Sequence, residues 1–264
     1  MTSVAIVTGG GSGIGAALAR ALAARGDLVV IADIDESAAK AVATEAGPLV
    51  SSTVLDVRDA DAVATVVHDV TAEHGRLDLI FNNAGIAVAG PVDELTPEHW
   101  NRVIDVNLRG VVHGTHAAYP VMLRQGSGHI VNTASLAGLI PAPMLAPYAA
   151  TKHAVVGLSL SLRGEAAPRG VRVSVVCPGF VDTPILDRVN VGLPQPASWS
   201  GQAPRERLPG RLYSPDALAR DILRGVERNR AVIVAPASAR VAWRMSRYAP
   251  RLSMRALSAV IRRG

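Results

Sequence analysis

Cysteine is nearly missing from this sequence: Cys177 is the only one in 264 residues. A single thiol excludes an internal disulfide or a cysteine metal cluster, and it fits a reducing, cytoplasmic setting. Long hydrophobic runs are also absent, none approaching the ~20 residues of a membrane-spanning helix. The chain opens on the strand-like run Val4-Ala5-Ile6-Val7, so a signal peptide is not expected. Acidic residues are missing from one end, since none follows Glu227, while residues 240–263 hold seven arginines. The net charge of +5 therefore belongs to the tail: residues 1–239 carry 20 basic and 22 acidic groups. A nearly neutral body gives no reason to expect a nucleic-acid partner. Internal repeats and low-complexity linkers are absent too.

The composition, 49% hydrophobic and 19% charged, suits a globular enzyme with a buried parallel sheet. Strand-like runs near 3–8, 28–33, 49–55, 77–82, 128–134, 172–177 and 231–234 alternate with helical patterns. The latter fall near 13–25, 36–46, 59–74, 97–124, 149–167 and 214–229. This alternation predicts an α/β fold, a doubly wound Rossmann-type parallel sheet of about seven strands with helices on both faces. Thr96 and Pro97 predict the start of the fourth helix. Proline and glycine become dense only at 184–215, which reads as a lid over the substrate. The expected organisation is a domain at 1–235, lid included, and a basic amphipathic helical extension at 236–264.

Two stretches carry chemistry. The first strand runs into Gly9-Gly10-Gly11-Ser12-Gly13-Ile14-Gly15, five glycines in seven positions, followed by a helical run. Such a turn lets backbone amides approach a pyrophosphate at the positive end of a helix. Its register is open, because Gly11-x-Gly13-x-x-Ala16 and Gly9-x-x-x-Gly13-x-Gly15 both fit. Asp33 ends the second strand, 20 positions after Gly13. A carboxylate there accepts hydrogen bonds from both adenosine ribose hydroxyls and repels a 2′-phosphate. No Arg or Lys stands at Ser12 or Ile34 to compensate, so NAD is preferred over NADP. Asp33 could also simply cap the next helix. The second stretch is Tyr148-Ala149-Ala150-Thr151-Lys152, where Tyr and Lys four apart share a helical face. A phenol with a pKa of about 10 is a poor proton donor or acceptor at neutral pH. The neighbouring ammonium is expected to pull it toward the working range.

With these motifs in this order, residues 3–234 resemble the classical short-chain dehydrogenase/reductase family. Thr8-Gly9-x-x-x-Gly13-x-Gly15 matches its glycine motif, which implies cofactor contacts from Gly9, Ser12, Gly13, Ile14 and Gly15, with Asp33 and Ile34 at the ribose. Asp56-Val57 looks like the pair that holds the adenine. Asn82-Asn83-Ala84-Gly85 matches the motif after the fourth strand, implying contacts from Asn83, Ala84 and Gly85. Pro178-Gly179, Val181 and Thr183 match the segment around the nicotinamide carboxamide. Asn107, Ser135, Tyr148 and Lys152 match the catalytic tetrad. The resemblance implies that Tyr148 passes the proton, that Lys152 lowers its pKa and binds the nicotinamide ribose, and that Ser135 orients the substrate oxygen. It also implies that Asn107 holds a relay water through its backbone. No metal is expected, and the seven histidines include no pair at metal spacing with acidic partners. His113 and His116 read as surface or helix-packing groups, His153 as structural, and Cys177 as the end of a buried strand.

The expected activity is NAD(H)-dependent interconversion of a secondary alcohol and a ketone. Lid residues Ile185, Leu186, Val189, Val191, Leu193, Trp199, Leu208 and Leu212 suggest a hydrophobic substrate. An NADP-dependent carbonyl reductase and a non-catalytic dinucleotide-binding regulatory protein are the alternatives. The resemblance also implies a homo-oligomer, dimer or tetramer, through the helices at 97–124 and 149–167. In the extension, Arg240, Arg244, Arg247, Arg251 and Arg255 run beside Val241, Met245, Tyr248 and Leu252, which predicts two short helices joined at Pro250. The apolar stripe could pack on the subunit or a neighbour, contact an anionic membrane surface with Trp243 and Tyr248, or cover the substrate pocket.

Overall fold

The structure is a computed structural model and describes residues 2–198, 212–251 and 253–255. Runs centred on Val, Ile and Leu form β1 (Val4–Thr8), β2 (Leu28–Asp33), β4 (Leu79–Asn82), β5 (Gly128–Thr133), β6 (Val171–Pro178) and β7 (Val232–Ala235), and the polar, half-exposed run Val50–Val54 forms the edge strand β3. All neighbours are parallel, in the order β3-β2-β1-β4-β5-β6-β7. Every strand end lies within two residues of its expected position. Continuous apolar runs are what a parallel sheet buried on both faces requires.

The period-two alternation of each strand divides two cores. Ala5, Val7, Val29, Ile31 and Phe81 face α1 (Gly13–Ala24), α2 (Glu36–Ala46) and a later helix, Pro215–Glu227. Val4, Ile6, Val30, Ile80 and Ile130 face α3 (Ala60–His74) and a helix at Gly110–Gln125. The chain winds outward both ways from β1 and β4, so their carboxyl ends open a crevice at the topological switch point.

The expected helix at 97–124 is not continuous. It divides into α4 (Pro97–Ile104), a π-helical turn at Asp105–Arg109 and α5 (Gly110–Gln125). Hydrogen-bonding periodicity changes there while the apolar pattern does not, so the pattern could not show it. Thr96 caps α4 as expected, and His99 completes the capping box by accepting the Thr96 N–H at 3.1 Å. The remaining helices are α6 (Ala146–Ala166), α7 (Pro215–Glu227) and α8 (Ala237–Tyr248). After Ala249 the backbone is helical again from Pro250, while Leu252 lies outside the described residues.

One core histidine gives the fold a pH dependence. His129 on β5 is fully buried; its Nε2 meets Ser174 Oγ at 2.8 Å, and that hydroxyl donates to the Arg230 carbonyl. Nδ1 has no partner among the described residues. Burial, with Arg172 and Arg163 nearby, pushes its pKa down to about 3. An unfolded histidine takes up a proton below about pH 6.5, whereas this one stays neutral until about 3. Stability is therefore full above pH 6.5 and is lost as pH falls through that window. Lowering pH from 7 to 5 should cost about 2 kcal/mol through this residue. Urea unfolding of the wild type and His129→Gln at both pH values measures it. The variant should lose correspondingly less stability between them.

Candidate active site

The crevice begins with the glycine turn between β1 and α1. Gly13 takes φ +51°, and a Cβ there would stand 2.9 Å from Thr183 Cγ2. A Cβ on Gly15 would fall 2.1 Å from the Gly9 carbonyl oxygen, so only glycine lets the turn close. Ser12 is the N-cap but makes no side-chain cap bond, and the first turn of α1 carries no acid. The leading amides of α1 thus remain available at its positive end, a fit for a pyrophosphate.

Asp33 closes one side of this turn. One carboxylate oxygen accepts the Gly11 N–H at 2.8 Å, the other the Asp35 N–H at 3.0 Å. It does not cap α2; Asp35 does, accepting from Ala38 N–H. Asp33 therefore braces the glycine turn, with Ile34 63% exposed beside it. Asp56 is already engaged by Arg58 through its backbone N–H and guanidinium, and that hydrogen bonding holds its carboxyl below the usual range. Val57 is buried, and its carbonyl meets His113 Nδ1 at 2.9 Å. His113 thus supports the Asp56-Val57 segment. Its signal in the sequence was too weak to find, since the partner is a backbone atom 56 positions away.

The motif after β4 locks onto the turn. The Thr8 hydroxyl accepts the N–H groups of Asn83 and Ala84 at 3.0 and 3.1 Å, and Asn83 Nδ2 donates to the Thr8 carbonyl at 3.1 Å. Asn107, fully buried in the π turn, accepts the Ile86 N–H at 2.9 Å and donates to the Ile86 carbonyl at 3.0 Å. Its side chain therefore holds the loop after Gly85. On the far side, Gly179 follows β6, and a Cβ there would lie 3.2 Å from Ala239 of α8. Val181 pairs with Tyr213 as an isolated bridge.

Ser135, Tyr148 and Lys152 converge between β5 and α6. Ser135 follows β5 with its Oγ accepting the Ala137 N–H. Lys152 is buried, its Nζ 5.6 Å from the Tyr148 ring centre and donating to the Thr133 carbonyl at 3.0 Å. Burial pushes its pKa down to about 8. The expected lowering of the Tyr148 pKa is not what this geometry produces. Burial raises it, and only the hydrogen bond with the Ser135 side chain opposes that. The ammonium lies over the ring, and one of its three N–H donors goes to the Thr133 carbonyl. Cys177, next to them and fully buried, has its thiol pushed up to about 12 by burial, so it stays protonated and inert.

The first half of the expected lid is pinned rather than loose. Asn190, buried at φ +55°, accepts the Ala89 N–H at 3.0 Å and donates to the Ala89 carbonyl at 2.7 Å. His99 Nε2 meets the Pro194 carbonyl at 2.8 Å. Trp199 and Leu208 lie outside the described residues.

A model of the short chain dehydrogenase family matches residues 3–193. The chain belongs to this family. Among short-chain dehydrogenases, it is 40% identical over 187 residues to cyclohexanol dehydrogenase of an Acinetobacter species, covering 69% of this chain and 74% of that one. It is 36% identical over 224 residues to the 3-oxoacyl-[acyl-carrier-protein] reductase FabG of Thermotoga maritima, covering 83% and 88%. A short-chain dehydrogenase/reductase structure from Burkholderia phymatum in complex with NAD superposes with a TM-score of 0.83 at 32% identity, covering 95% of each chain. The seven-stranded Rossmann-type sheet is thus a short-chain dehydrogenase fold, and the protein is an oxidoreductase of that family.

Proposed function

We propose that this oxidoreductase is NAD(H)-dependent and interconverts a hydrophobic secondary alcohol and its ketone. The observation that carries the substrate class is the setting of Tyr148. Its ring packs with Ile86 and Leu193 against buried Val88, Leu95 and Val103, so the carbon skeleton beside the reacting oxygen meets an apolar wall. The cyclohexanol dehydrogenase likeness supports the same class; the FabG likeness keeps a 3-oxoacyl thioester as a second substrate type.

The nicotinamide, when bound, supplies the hydride acceptor or donor. Tyr148 takes the proton from the alcohol oxygen, or returns it to the carbonyl oxygen. Ser135 donates a hydrogen bond to that oxygen as charge develops. Lys152 holds the nicotinamide ribose, and its charge stabilises the phenolate once ribose and substrate complete the site. Asn107 positions the π turn from which a relay to solvent leaves. Gly9, Ser12, Gly13, Ile14 and Gly15 line the pyrophosphate; Asp33 and Ile34 the adenosine ribose; Asp56 and Val57 the adenine. Asn83, Ala84, Gly85, Pro178, Gly179, Val181 and Thr183 flank the nicotinamide half. Outward Val112 on α5 and Leu160 on α6, 40% and 42% exposed, fit a homo-oligomer built through those helices.

Two measurements test this reading. An NAD-coupled screen of secondary alcohols, from cyclohexanol to longer chains and fused rings, should return an apolar substrate; a purely regulatory protein would reduce no NAD with any. Asp33→Ala should shift the NAD-to-NADP ratio of kcat/KM by at least ~10-fold toward NADP, since a buried-edge carboxylate beside a 2′-phosphate is strongly repulsive. A wild type that prefers NADP would overturn the cofactor assignment.

A further inference from the structure

We propose that α8 is a docking face for an anionic lipid surface. Its sequence separates into three strips when wound at about 100° per residue. Arg247, Arg240 and Arg244 fall within about 60° of arc, and Tyr248, Val241 and Met245 fill the next ~60°. Ala239 and Trp243 occupy the opposite side and pack into the core with Val155, Val175 and Val234. The body therefore holds the helix by its inner strip and leaves the other two outside. Val241 is 55% exposed, Met245 56% and Tyr248 81%. Of the two packings expected for this stripe, on its own subunit or on a neighbour, the first is not found: Trp243 does the packing, and Val241, Met245 and Tyr248 face out.

Among the described residues the charges beside the stripe have no acidic partner. Residues 228–264 contain no acidic side chain. Among the described residues Arg244, Arg247, Arg251 and Arg255 form no ion pair, while Arg240 spends one N–H on the Val234 carbonyl at 3.0 Å. Adjoining basic and apolar strips on a helix anchored parallel to the surface match a headgroup layer, where phosphates meet arginines and the apolar strip enters the acyl boundary. A nucleic acid would reward the arginines but not Val241 and Met245. A second copy packed antiparallel through a two-fold axis would bring arginine strip toward arginine strip. The helix itself lies next to the site: Ala239, on its inner strip, abuts Gly179 beyond the carboxyl end of β6. Docking would bring the substrate mouth toward the apolar phase, although the proposal stands whether or not the substrate is a lipid.

The test is sedimentation of the full-length protein with phosphatidylcholine vesicles, with and without about 30% phosphatidylglycerol. Binding should require the anionic lipid and fall steeply between about 0.05 M and 0.5 M salt. Each arginine at such a surface contributes about fivefold, so Arg244→Glu with Arg247→Glu should lower partitioning at least ~20-fold. Val241→Ser with Met245→Ser should lower it about 10-fold. NADH binding should be unchanged in both double variants, which reports an intact fold. The proposal is overturned by no sedimentation with anionic vesicles at low salt, or by equal binding to pure phosphatidylcholine. Duplex DNA binding indifferent to the serine variants, with no vesicle binding, would assign the face to nucleic acid. A dimer dispersed by the serine variants while vesicle binding persists would assign it to self-association.

Discussion

Tyr148→Phe is expected to lower kcat by about 10²–10⁴-fold while NADH affinity stays within about threefold of the wild type. The ring belongs to the apolar cluster around Val88 and Val103, and phenylalanine fills the same space, so the fold should be undisturbed. Only the hydroxyl is lost, and with it the proton carrier hydrogen-bonded to Ser135. Turnover of the alcohol found by the NAD-coupled screen, compared with NADH fluorescence titration, separates the two quantities. Unchanged turnover would refute the mechanism. A matched fall in NADH binding would instead mean that the hydroxyl serves the cofactor.

Lys152→Met should act in opposite directions on activity and stability. Activity should fall at least ~100-fold, with weaker NADH binding, because among the described residues Lys152 is the cation placed with Tyr148 and Ser135 to hold a ribose or stabilise a phenolate. Stability at pH 7 should hold or rise. The ammonium is buried, bonded among the described residues to the Thr133 carbonyl, and its pKa is pushed down to about 8 from an ordinary value near 10.5. The unfolded chain therefore binds this proton more tightly than the native one. The resulting penalty is fully present below pH 8 and is relieved as pH climbs toward the unfolded value. Its upper bound is about 3 kcal/mol, offset in the variant by losing the bond to Thr133. Thermal unfolding at pH 7 checks the sign. A large drop in Tm would make Lys152 a structural residue whose loss of activity says little about chemistry.

The strands were legible because a parallel sheet buried on both faces demands uninterrupted Val and Ile runs, and their alternation with helices predicts the winding. The site was legible where a motif needs a residue for local reasons: Gly15 has no room for a side chain, and Asp33 falls at a strand's carboxyl end beside the glycine turn. Tertiary structure decided what depends on partners far away in the chain. The π turn at Asp105–Arg109 leaves the apolar pattern intact, and Asn107 reaches the Ile86 backbone only once α4 and the β4 loop are packed together. Asn190 is one polar residue in a proline-rich stretch until Ala89, 101 positions back, comes alongside. The acidity of Tyr148 runs opposite to what spacing alone implies, because helical proximity to an ammonium favours the phenolate while burial, a property of the whole fold, sets the cost of the charge. On α8 the sequence by itself determined that arginines and apolar residues share a helix. The fold decided which strip was spent on the core, since Trp243 and Ala239 fill the space beside β7 and leave Val241, Met245 and Tyr248 facing out.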